Sequence, residues 1–98
     1  MADKVLCRTP TPGKKGTRID RWKFDLLRKA ILRVVPADEM GVRFSGLPEL
    51  VERELSTTEQ EELGSISWYT TTVKLELEVR GEIERVADAH PQRVRRGR

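Results

Sequence analysis

From Ser67 to Arg85 the chain runs SWYTTTVKLELEVRGEIER, and this stretch restricts the fold more than any other. From Thr71 to Val79 apolar and polar residues alternate strictly, with Val73, Leu75, Leu77 and Val79 set against Lys74, Glu76, Glu78 and then Arg80. Taken alone this is a strand pattern. At about 100° per residue the same residues also make a helix with two apolar faces. Ile66, Tyr69, Thr70, Val73 and Leu77 lie on one face, and Trp68, Thr72, Leu75 and Val79 lie nearly opposite. Periodicity leaves both readings open. Gly81 then interrupts the pattern before a short alternating segment around Ile83, the order expected of a helix, a tight C-cap and a strand.

Ninety-eight residues accommodate one domain with a modest core and exclude a second independent one. Charged residues reach 36% and apolar residues only 37%, against about 25% and 45–50% in average globular proteins, so the core is small. Cys7 is the single cysteine and closes no intramolecular disulfide, and no apolar run approaches a membrane span. Without a signal-peptide pattern at the N-terminus, the expectation is a soluble, cytoplasmic protein. Met1–Val35 carries ten Lys or Arg against three Asp or Glu, a net +7. Pro36–Val79 carries three against ten, −7, and Arg80–Arg98 six against three, +3. Basic ends suit phosphate binding, and an acidic middle repels a polyanion wherever it faces one. A dipolar surface that serves folding or self-association is the alternative.

The prolines and glycines of Thr9–Gly16 rule out continuous helix, so residues 1–17 are expected as a flexible basic arm before a single domain at 18–96. Val5 and Leu6 are too few to decide whether a short strand interrupts the arm. A helix should start at Asp20 as N-cap, with Ile19 and Phe24 forming a hydrophobic staple. Leu27, Ala30, Ile31 and Val34 continue its apolar stripe, and Pro36 ends it. Met40–Ser45 alternates as one short strand, and Ser45 can cap a helix over about Gly46–Leu55 with Pro48 in its first turn. Thr57 or Thr58 can cap one more turn that ends near Gly64. After Ile83, Arg85 and Val86 extend a strand, Ala87–Pro91 turns, and Gln92–Arg96 returns.

Leu77-Glu78-x-x-Gly81-x-Ile83 followed by Arg85 resembles the segment of winged helix-turn-helix proteins in which the last helix ends at a glycine and the wing begins. The order helix, short strand, helix, helix, hairpin over about residues 18–96 is similar as well. The whole chain also resembles a small bacterial family of uncharacterised domains of unknown function, through Thr11-Pro12-Gly13, Arg18-Ile19-Asp20 and Trp68. The resemblance implies an α+β winged helix, with a three-helix core, a short strand and a C-terminal β-hairpin wing. It says little about function, because winged helices serve DNA binding and protein contact alike.

The resulting expectation is a DNA-binding, transcription-regulator-like module that works mainly through phosphate contacts. Lys14, Lys15, Arg18, Arg85, Arg93, Arg95 and Arg96 would hold the backbone, and Thr71 and Lys74 would lie toward the groove. Lys74, Glu76, Glu78 and Arg80 sum to zero, which argues against base reading by this helix. The alternative, from another class, is a protein-interaction or homodimerisation module that docks through Trp68, Leu75 and Val79. One cysteine and one histidine make no ordinary zinc site. Gly13-Lys14-Lys15-Gly16-Thr17 lacks the order of a phosphate loop. Cys7 has only Arg8 near it and no base to make it a nucleophile. The reading therefore includes no enzyme activity, no metal, no cofactor, no small-molecule ligand and no membrane partner.

Overall fold

Asp20 ends a strand and stands at the N-cap of a helix, and Ile19 just before it is buried against the body of the protein. The computed structural model describes residues 3–97. Met1, Ala2 and Arg98 lie outside the described residues. Strand β1 (Lys4–Cys7) pairs antiparallel with β2 (Thr17–Asp20), setting Val5 opposite Ile19 and Cys7 opposite Thr17. The pleat turns Val5, Cys7 and Ile19 inward. This corrects the expected arm over 1–17: its beginning is a strand of a hairpin. The alternating partner of Val5 is Cys7, which packs as a small hydrophobe, and Leu6 faces outward.

Helix α1 (Arg21–Val34) follows directly. Asp20 holds the N-cap position, but its carboxylate makes no cap bond and instead meets Lys4 Nζ at 2.7 Å. The Arg21 N–H donates to the Asp3 carbonyl across the strand end, at 2.8 Å. Ile19 and Phe24 are both buried, as a staple requires. Phe24, Leu27, Ala30 and Ile31 form the inward stripe, and the helix stops before Pro36 because the ring excludes a helical amide there.

Strand β3 is only Val42–Arg43, and Phe44–Gly46 makes a single 3-10 turn. Helix α2 therefore runs Leu47–Arg53, shorter than the expected Gly46–Leu55, with Ser45 inside the turn and not at the cap. Helix α3 (Thr57–Leu63) is capped by Ser56, in place of the expected Thr57 or Thr58. Ser56 Oγ accepts from the Glu59 N–H at 3.1 Å, and Glu59 Oε1 accepts from the Ser56 N–H at 2.8 Å. Ser56-x-x-Glu59 closes this reciprocal box, although Thr57-x-x-Gln60 and Thr58-x-x-Glu61 have the same spacing.

The ambiguous stretch is a helix, α4 (Ile66–Arg80), capped by Ser65, whose Oγ accepts from the Trp68 N–H. Gly81 ends it at φ 79°, with the Glu82 N–H donating to the Leu77 carbonyl and the Gly81 N–H to Glu78. This is the left-handed termination that glycine permits without a Cβ clash. Strands β4 (Ile83–Arg85) and β5 (Arg93–Arg96) form a hairpin, and β5 also pairs with β3 to give an antiparallel sheet of order β3-β5-β4. Val94 is its buried centre, opposite both Val42 and Arg85. The core is shared by α1, α2 and α4, and closed by Val5 and Cys7 of the first sheet and Ile83 and Val94 of the second. The architecture is α+β, with four α-helices and two small antiparallel sheets among the described residues.

Candidate functional site

Helix α4 is bordered by different structures around its circumference. Val73 and Leu77 point into the core. About 100° to one side, Glu76 is turned toward the N-terminal hairpin, and on the other side Lys74 and Glu78 are turned toward the second sheet. The outward side carries Trp68, Thr72, Leu75 and Val79, of which Trp68 and Val79 are exposed and the other two half-buried. Trp68 packs edge-on to Tyr69 with ring centroids 4.8 Å apart. The Tyr69 hydroxyl accepts from Lys23 Nζ at 3.1 Å, which ties this end of α4 to α1.

Glu76 is the centre of the first flank. Its Oε1 accepts from the Arg8 backbone N–H at 2.8 Å and from Arg8 Nε at 3.0 Å. Its Oε2 accepts from Arg8 Nη2 and Arg80 Nε, both at 2.7 Å. Burial by itself would push this carboxyl up; the hydrogen bonds from Arg8 and Arg80 overrule it and hold the pKa at about 2. Arg80 also stacks over Phe24, with Cζ 4.7 Å from the ring centroid. In the second flank, Glu78 accepts from Arg85 Nε at 2.9 Å and faces Lys74 Nζ at 3.2 Å. Lys74 Nζ donates to Gln92 Oε1 at 2.7 Å and sits 4.3 Å from the Phe44 ring centroid. Burial lowers the Lys74 pKa, and Glu78 offsets part of that shift.

These contacts sort the charges by depth. The carboxylate side chains of Glu76 and Glu78 are 1% and 6% exposed, while their guanidinium partners Arg8, Arg80 and Arg85 are 52%, 37% and 53% exposed. The chain that leaves Arg8 passes Pro10, which lines a shallow depression with Glu78, Gly81, Ile83 and Arg85 at the end of α4. Beyond it, Lys14 and Lys15 are exposed on the β1–β2 loop and Arg18 is exposed on β2. No carboxylate lies within ion-pair distance of these three among the described residues.

The remaining sequence candidates fall into two groups. Thr71 is half-buried beside the open face, but Lys74 is 1% exposed and cannot lie toward a groove. Its helical position points at the sheet, and its long apolar stem is accommodated there. Arg93, Arg95 and Arg96 are turned to backbone. Arg93 donates to the Met40 and Gly41 carbonyls, Arg95 to Glu84 and the Glu39 carbonyl, and Arg96 to the Val35 and Leu32 carbonyls. They fix the 36–41 loop and the C-terminal end of α1, where a cation is favoured by the helix dipole. Arg85 keeps an outward guanidinium. Arg8 and Arg80 are additions. The helical i, i+4 spacing of Glu76 and Arg80 was a signal for the second, but nothing local in the sequence marks Arg8.

Among the described residues no group of three His, Cys, Asp or Glu is placed to hold a metal ion, and no helix is long and apolar enough to cross a membrane. The chain belongs to a family of unknown function (DUF6958), whose family model matches residues 4–94 and so includes the hairpin, all four helices and the start of β5. No curated protein and no solved structure matches it.

Proposed function

We propose that the chain is a winged helix that binds duplex DNA, with contacts led by phosphates, as a transcription-regulator-like module of the bacterial cytoplasm. The fold side of this reading is supported by the order α1, β3, α2, α4, β4, β5 and by the placing of β5 between β3 and β4. The observation that carries the DNA side is the sorting of charge around α4. A count along the helix gives neutrality, but a polyanion approaching from outside meets Arg8, Arg80 and Arg85 first and buried carboxylates second. Lys14, Lys15 and Arg18 add exposed positive charge on the hairpin that leads to Arg8. A helix bordered by basic hairpins suits insertion into a groove while both borders grip the backbone.

Binding of a fluorescent generic duplex should weaken steeply with salt, with a slope of about −4 in log K against log salt for four or five phosphate contacts. Replacing Lys14 and Lys15 by Ala should reduce that slope by about 2, and Lys74→Met should leave it unchanged. Absence of binding at low salt would refute the proposal.

A second reading has its own observation. Trp68, Thr72, Leu75 and Val79 follow a 4-3-4 spacing, the seam of a helix that packs against another helix. A second copy is the self-complementary occupant, and Leu75→Lys should then turn a dimer into a folded monomer. Two features weigh against it. Only Trp68 and Val79 of the four are exposed, where a stable interface engages about 20–30 residues a side, and a two-fold axis brings the arginine-bordered flanks of the two copies together.

A further inference from the structure

We infer that the outward face of α4 reads the C5-methyl groups of thymine in the major groove, an inference that rests on the DNA reading above. Charge complementarity selects the occupant, since outward guanidiniums border this uncharged face on both flanks. The chemistry of the face then selects what it can read. A guanine edge calls for Arg or Lys, an adenine edge for Asn or Gln, and a cytosine amino group for Asp or Glu. The outward residues Trp68, Thr71, Thr72, Leu75 and Val79 include none of these, and Lys74, Glu76 and Glu78 are turned to the flanks and engaged there.

Threonine hydroxyls bond either kind of base edge and so select neither, which leaves methyl recognition as the selective contact. Thr72 Oγ1 donates its one proton to the Trp68 carbonyl at 2.8 Å, so it has no donor left for a base acceptor, and its methyl and the hydroxyl lone pairs are what it can offer. Leu75 adds two more methyls almost one turn along, and Trp68 supplies an apolar ring one turn before. A thymine methyl is the feature of the major groove that such a surface can hold, and uracil lacks it.

The test compares two short A·T-rich duplexes of identical sequence, one with thymine and one with deoxyuridine at every thymine position, against the full chain at low salt. Phosphate charge and base pairing are the same in both. Each methyl held should be worth about fourfold in affinity, the value of one buried methyl-sized group, so two contacts give about sixteenfold preference for the thymine duplex. Thr72→Ser keeps the hydroxyl and removes the methyl, and it should reduce the preference about fourfold without changing the salt slope. Leu75→Ala should act in the same direction. Equal, salt-dependent binding of both duplexes overturns the methyl reading and leaves DNA binding standing. Absence of binding to either overturns both, and a dimer abolished by Leu75→Lys would then give the face to a second copy.

Discussion

Glu76→Gln tests whether the buried carboxylate fastens the N-terminal hairpin to α4. Glu76 accepts four hydrogen bonds from Arg8 and Arg80, one of them from the Arg8 backbone N–H just past β1. The fall of its pKa from 4.5 to about 2 corresponds to about 3 kcal/mol of stability at neutral pH. Arg8 is half-exposed and Arg80 a third exposed, and solvent screening of the pairs lowers this to about 2 kcal/mol. Glutamine keeps the shape and one acceptor but removes the charge. The folded pKa lies below the unfolded one, so the stabilisation is complete above about pH 4.5 and is lost as pH falls toward 2. Urea unfolding at pH 7 should show the variant about 2 kcal/mol less stable, and at pH 3 more than half of that difference should be gone. A variant as stable as the parent at pH 7, or a difference that does not change between pH 7 and pH 3, would refute the reasoning.

Three further outcomes follow from local geometry. Ser56→Ala removes one half of the capping box and should lower stability by about 1 kcal/mol in urea or thermal unfolding. Gly41→Ala should cost roughly 3 kcal/mol or more, because a Cβ there would lie 2.0 Å from the Val94 carbonyl oxygen at a φ of +60°, and circular dichroism melts would register it. The Cys7 thiol is buried and its pKa is pushed up to about 11 by burial and by the Glu76 carboxylate. A thiol reagent at pH 8 should therefore modify the folded protein far more slowly than the urea-unfolded chain.

The boundaries legible in the sequence are those written in single residues with one physical meaning. Pro36 stops α1, Gly81 stops α4, and the Ile19–Phe24 staple fixes the entry to α1. The α3 cap is Ser56 and not the expected Thr57 or Thr58, and the sequence does not separate them, because Ser56-x-x-Glu59, Thr57-x-x-Gln60 and Thr58-x-x-Glu61 all have the spacing of the box. The N-terminal hairpin was not legible, because its inward pattern consists of Val5, Cys7 and Ile19 and its pairing spans a loop rich in proline and glycine. The site was legible in part. Lys14, Lys15 and Arg18 are as exposed as their sequence suggests, but Arg93, Arg95 and Arg96 hold backbone carbonyls. A carbonyl acceptor leaves no trace in a sequence, since every residue carries one.

The strand-like alternation of α4 has the same origin as its charge sorting. At about 100° per residue, successive odd-numbered positions from Val73 fall alternately on the core side and on the outward side, so Val73 and Leu77 are buried and Leu75 and Val79 look out. The even-numbered positions between them fall alternately on the two flanks, where the hairpin meets Glu76 and the sheet meets Lys74 and Glu78. A helix covered on three sides and open on the fourth therefore reads as period two, and its polar residues are the ones it shares with its neighbours. Charges in those positions do not predict surface charge. The long arginine side chain can lay its stem over the shorter buried carboxylate and keep its guanidinium in water, so ion pairs at such flanks present a basic exterior although their sum is near zero. The open side keeps residues whose contacts are local to the helix, Trp68 with Tyr69 and Thr72 with the Trp68 carbonyl, which is why the proposed recognition is assigned to Trp68, Thr72 and Leu75.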